Sequence, residues 1–151
     1  MSKKKIKVIV IRSEFNEDIV ENLYSGVKKC FEDEKILFEI KDIKVPGAFE
    51  LPYMAKQALA LQPDCIITLG CVIKGETAHF EYISNSCANT LSQLTITTSV
   101  PIMFGVITSY TRDQALKRSE INFENNKNIN IGYNVANAAI KTLRSRIQNN
   151  I

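Results

Sequence analysis

Apolar residues along the chain follow two rhythms that alternate. Short β-branched runs read as strands, and stretches with apolar residues three and four apart read as helices. Ile6 to Ile11 is the first run, ending in the polar cluster Arg12-Ser13-Glu14-Phe15-Asn16. A buried parallel strand followed by a loop is predicted there. Ile19, Val20, Leu23, Tyr24, Val27 and Phe31 then mark the core face of a helix. Asn16 is placed to cap that helix, with Glu17 and Asp18 in the first turn, where the dipole favours them. Ile36 to Val45 alternates as a second strand and ends at Pro46-Gly47.

A helix from about Phe49 tolerates Pro52 in its first turn, and its stripe is Leu51, Met54, Ala55, Ala58 and Leu59. Gln62-Pro63-Asp64 stops it, and Cys65 to Leu69 is a third strand. A helix beginning near His79 buries Ile83, Cys87, Leu91 and Leu94, and Val100 to Ile107 is a fourth strand. A short helix over Arg112 to Arg118 precedes a polar link, Glu120 to Asn130, and a last helix over Tyr133 to Gln148. Strands alternating with helices predict an α/β three-layer sandwich: a four-stranded parallel sheet, flavodoxin-like, with helices on both faces. Ligands of such sheets gather at the carboxyl ends of the strands. Ser13 to Asn16, Gly47 to Glu50, Gly75 to His79 and the stretch after Phe104 are therefore expected on one edge.

Length and composition narrow the class. The 151 residues suit a single domain, with residues 1–5 as a solvated lysine-rich tail. A net charge of +3 with no interleaved basic and aromatic residues argues against nucleic acid as a partner. No apolar run is long enough for a membrane span, and the lysines before Ile6 do not introduce a signal-peptide core. Cys30, Cys65, Cys71 and Cys87 sit in apolar settings without a Cys-x-x-Cys pair. One histidine cannot complete a usual zinc set, so reduced thiols in a cytoplasmic protein without a metal are expected.

Candidate chemistry lies in the turns after the strands. Phe15 is either a packing contact onto the next helix or a stacking platform for a flat heterocycle. Glu50 either favours the helix dipole or accepts hydrogen bonds from substrate hydroxyls. Gly75 lets the backbone approach a ligand, and Thr77 offers a hydroxyl beside free amides, which suits a phosphate. His79, at that helix start, is a structural residue or a proton carrier. Arg118 is a solvated charge or a phosphate clamp. Nothing near Lys74 in sequence points to a depressed pKa for Schiff-base chemistry. No dinucleotide, Walker or nucleophile-elbow signature follows any strand.

Val45-Pro46-Gly47-Ala48-Phe49-Glu50-Leu51-Pro52 resembles a signature of the 6,7-dimethyl-8-ribityllumazine synthase family of riboflavin biosynthesis. So does Leu69-Gly70-Cys71-Val72-Ile73-Lys74-Gly75-Glu76-Thr77-Ala78-His79-Phe80-Glu81-Tyr82. Phe15-Asn16 upstream and Val100-Pro101 with Phe104-Gly105-Val106 downstream extend the resemblance over nearly the whole chain. The resemblance implies that Phe15 stacks on the pyrimidine of 5-amino-6-(ribitylamino)uracil, with Ala48, Phe49 and Glu50 holding its ribityl chain. Val72, Ile73 and Phe104 would wall the ring. Gly75, Glu76, Thr77 and Arg118 would bind the phosphate of 3,4-dihydroxy-2-butanone 4-phosphate, and His79 would transfer protons. It implies a transferase without a cofactor, acting on small molecules as a homopentamer with sites shared between subunits. Some members form an icosahedral shell. A functional link to riboflavin synthase is implied as well.

One region departs from that family. Gly132-Tyr133-Asn134-Val135-Ala136 aligns with the start of the last helix, which puts Ile131 where the family has a lysine. Asn134 stands where an acidic residue is common, and the link from Arg118 to Gly132 is longer than in most members. Lys127 is the candidate to replace the missing charge. The longer link is expected to hinder shell packing and favour the pentamer. Two alternatives carry different functions. A non-catalytic flavin- or lumazine-binding protein would keep the aromatic turns but not His79, Arg118 and Thr77. A flavodoxin-like signalling domain would want acidic or hydroxyl-rich residues after the first strand, which Ser13-Glu14-Phe15-Asn16 does not supply.

Overall fold

In the computed structural model, which describes residues 4–126 and 129–151, the strands pair as one parallel sheet. They are β1 (Ile6–Ser13), β2 (Phe38–Val45), β3 (Cys65–Ile73) and β4 (Ile102–Ser109), in the order β2-β1-β3-β4. The helices are α1 (Glu17–Asp33), α2 (Leu51–Ala58), α3 (His79–Ile96), α4 (Arg112–Lys117), α5 (Phe123–Asn126) and α6 (Ile131–Gln148). The chain forms the expected three-layer, flavodoxin-like arrangement. Helices α1 and α6 cover one face of the sheet, and α2 and α3 cover the other.

Strand alternation explains why the central strands are apolar on both sides. Val8 and Val10 of β1 join the core under α1 and α6, whereas Ile9 and Ile11 join the core under α2 and α3. On β3, Cys65, Ile67 and Leu69 face the first core and Ile66 the second. Each strand therefore feeds two cores, which is the origin of its continuous hydrophobic run. All four cysteines are buried and free, within these two cores.

Strands β1, β3 and β4 run further at their carboxyl ends than the apolar pattern predicts, whereas β2 begins at Phe38 and not at Ile36. Arg12 and Ser13 belong to β1 and are buried, not part of a polar loop. Burial of Arg12 is offset by Asp42 of β2, which accepts from Nε at 2.7 Å and Nη2 at 2.8 Å. Glu21 of α1 accepts from Nη1, and the Tyr24 ring lies 4.4 Å beneath the guanidinium. Strand β3 extends to Ile73, so Gly70 to Ile73 is strand and not loop. In the polar link, Phe123–Asn126 forms a helical turn that the sequence pattern does not predict, and α6 starts at Ile131. Lys127 and residues 1–3 lie outside the described residues. Lys4 and Lys5 are exposed, with Lys4 paired to Asp64 at 3.2 Å.

Asn16 does not cap α1 with its side chain. Its backbone is left-handed (φ 56°), a conformation asparagine tolerates, and Nδ2 donates to the Cys71 carbonyl at 2.9 Å. That bond ties the loop after β1 to the end of β3. Asn130 is the side-chain cap of α6. Its Oδ1 accepts from the Tyr133 amide at 3.0 Å, and Nδ2 donates to the carbonyls of Asn22 and Glu120.

Candidate active site

The strand order reverses direction between β1 and β3, and the carboxyl ends of parallel strands open a crevice at such a point. A cavity of about 620 Å³ lies there, a size typical of small-molecule sites. Phe15 enters from the turn after β1, and Pro46 to Glu50 from the turn after β2. Cys71 to Ile73 come from the end of β3, and Gly75, Thr77, His79, Phe80 and Ile83 from the following loop and first turns of α3.

The two aromatic turns leave their rings uncovered. Phe15 is 72% exposed and Phe49 is 59% exposed, so neither ring is spent on packing within the chain. Glu50 does satisfy its own turn, because Oε2 accepts from the Gly47 amide at 2.9 Å. That bond holds the short helical turn Ala48–Glu50 closed while leaving Oε1 with hydrogen-bonding capacity. Gly75 has no internal reason to be glycine. A Cβ there would meet nothing within 4 Å, and its φ is not positive. The rim at Gly75 is open space facing the cavity.

His79 is exposed at the first position of α3, and its amide faces Thr77 Oγ1 at 3.4 Å. The imidazole has no hydrogen-bond partner among the described residues, so its orientation is left for a ligand to set. Cys71 shares the cavity wall, but burial pushes its thiol up to about 11 and Arg112 opposes this only in part. A thiol so placed is a wall and not a nucleophile. Among the described residues no group of three or more His, Cys, Asp or Glu side chains is placed to hold a metal ion.

Phe15, Ala48, Phe49, Glu50, Val72, Ile73, Gly75, Thr77 and His79 thus line one cavity. Glu76, Phe104 and Arg118 do not line this cavity. Phe104 is not at a strand end. Strand β4 continues to Ser109, and Phe104 pairs with Thr68 in its first half, 41% exposed on the edge strand. Arg118 follows α4, exposed, with Nη1 donating to the Gln114 carbonyl at 3.1 Å. It borders a separate shallow cavity together with Asp113, Gln114, Lys117, Ile129 and Ile131. The Ile131 amide donates to the Arg118 carbonyl at 2.9 Å, so the residue at the lysine position stands directly beside the arginine. Phe80 and Ile83 also line the cavity, although the sequence pattern assigns Ile83 to the core and gives Phe80 no role. They stand three residues apart on α3, and that spacing puts them on one side of the helix.

Comparison with known proteins bears on this cavity. A family model described as 6,7-dimethyl-8-ribityllumazine synthase matches residues 5–146. A 6,7-dimethyl-8-ribityllumazine synthase of Leuconostoc mesenteroides subsp. mesenteroides is 44% identical over 118 residues, 75% of this chain and 74% of that protein. One of Flavobacterium psychrophilum is 38% identical over 150 residues, 98% of this chain and 77% of that protein. The family match runs from before β1 into the last turns of α6 and so takes in every turn that shapes the cavity. On these matches, the chain belongs to the 6,7-dimethyl-8-ribityllumazine synthase family.

Proposed function

We propose that the protein condenses 5-amino-6-(ribitylamino)uracil with 3,4-dihydroxy-2-butanone 4-phosphate to give 6,7-dimethyl-8-ribityllumazine, releasing phosphate and water. The observation that carries this is the convergence of two exposed aromatic turns and the Gly75-to-His79 loop on one cavity. A flat ring lies against Phe15, walled by Val72 and Ile73. The ribityl chain runs along Ala48 and Phe49 toward the free oxygen of Glu50. The phosphate sits at the Gly75-to-Thr77 rim, where the start of α3 favours an anion. The amine of the pyrimidine adds to the butanone ketone and the ketone oxygen leaves as water, phosphate is eliminated, and the ring closes with loss of a second water. His79 carries protons between these steps, and the rest of catalysis is orientation of two reactants.

Arg118 and Phe104 act on the cavity of a neighbouring copy. Neither lines the cavity of its own chain, which supports this, as does the exposure of Phe15 and Phe49. The working unit is a homopentamer, with the longer link before α6 disfavouring shells; light scattering that found shell-sized particles would contradict this. Each subunit is one domain. Four buried, unpaired thiols support a cytoplasmic setting, and the lumazine product feeds riboflavin synthase.

Co-expression of two impaired variants, assayed at butanone phosphate below its KM, tests the shared site. His79→Ala should lower kcat by about a hundredfold, as loss of a proton carrier does, and Arg118→Ala should raise KM for the butanone phosphate. Hybrid assemblies should regain part of the activity, because some cavities then receive His79 from one copy and Arg118 from another. Hybrids no more active than either parent would contradict the shared site.

A further inference from the structure

We propose that Lys117 supplies a second cation to the phosphate subsite, beside Arg118. The inference rests on the phosphate-clamp role given to Arg118 above. Lys117 and Arg118 border the same shallow cavity at the end of α4. The Arg118 guanidinium is steadied by one bond to the Gln114 carbonyl, at 3.1 Å, and keeps its remaining N–H groups for a ligand. The Lys117 ammonium has no hydrogen-bond or ion-pair partner among the described residues. Asp113 shares the cavity but pairs with neither cation.

A phosphate monoester is close to a dianion at neutral pH, so one guanidinium leaves charge uncompensated. An arginine fork and a lysine point charge complement each other on such a group. The neighbouring wall residue, Ile131, contributes no charge. Other cations near the carboxyl edge are committed elsewhere. Arg112 pairs with Asp18, and Lys74 lies over the Tyr110 ring at 5.6 Å without lining the substrate cavity. Lys117 is free to close on an anion that Arg118 holds.

Steady-state kinetics of Lys117→Gln, Lys117→Arg, Lys127→Gln and Arg118→Gln test the assignment, with inorganic phosphate as a competing ligand. Lys117→Gln should raise KM for the butanone phosphate about three- to fivefold, the scale of one solvent-exposed charge pair. It should weaken phosphate inhibition by the same factor and leave kcat and KM for the pyrimidine in place. Lys117→Arg should restore both values. The assignment is overturned if Lys117→Gln changes neither while Arg118→Gln changes both, or if Lys127→Gln produces the effect instead. If Arg118→Gln also changes neither, the clamp role itself fails and this inference with it.

Discussion

At the rim of the cavity, Gly75 separates what the fold needs from what a ligand needs. No backbone angle or neighbour within the chain demands glycine there. Gly75→Ala should therefore leave stability unchanged or raise it by up to about 1 kcal/mol, because alanine narrows the unfolded ensemble. The added methyl should nevertheless raise KM for the butanone phosphate by about tenfold, the order of one misplaced methyl group in a fitted site. Paired thermal melts and kinetics check both halves, and an unchanged KM would remove Gly75 from the site. Single residues were legible in sequence where their surroundings were local. His79 and Thr77 stood out because a helix start gives them meaning. Arg12 did not, since its partners Asp42 and Glu21 come from other elements and nothing adjacent announces them. Glu50 serves its own turn by accepting from the Gly47 amide, a local contact that neither sequence reading of this residue contained.

Between elements, α1 and α6 approach closely through two glycines. A Cβ on Gly132 would lie 1.9 Å from the Leu23 carbonyl oxygen, and one on Gly26 would lie 2.1 Å from Asn130 Oδ1. Gly132→Ala must push two helix backbones apart and should cost about 3 kcal/mol, as overpacking does. Asn130→Ala removes a cap and two further hydrogen bonds from a fully buried side chain, at about 2–4 kcal/mol. Urea unfolding should show lower midpoints with unchanged slopes for both. Helices and strands were legible from hydrophobic rhythm, but their ends were not. Strands β1, β3 and β4 outlast their apolar runs because neighbouring strands keep pairing with them, a contribution no local pattern contains. Phe104 already lies inside the strand Val100 to Ile107 that the pattern predicts, and the continuation of β4 to Ser109 sets the strand end still further from it.

The whole molecule keeps its thiols protonated by burying them. Desolvation pushes Cys30 and Cys65 up to about 12 and Cys71 and Cys87 up to about 11, from an ordinary 9.0. Burial, followed by its bond to Asp33, raises Tyr133 to about 12. Raised folded values mean that unfolding releases protons above the unfolded values. Stability from these groups is thus full below about pH 9 and falls as pH rises through the folded values. Denaturant melts should lose about 1 kcal/mol per thiol by about pH 10, whereas a flat profile over that range would contradict the burial. The layered fold was legible from the order of elements alone. The separation of Phe104 and Arg118 from the cavity was not, because no local pattern says which residues meet in the folded chain. The most direct test of the central claim is the rate of lumazine formation, followed by absorbance, when the protein meets 5-amino-6-(ribitylamino)uracil and the butanone phosphate. The account predicts saturable turnover well above the uncatalysed condensation and largely lost with His79→Ala. A rate equal to that of the substrates alone, with the protein folded and assembled, would contradict it.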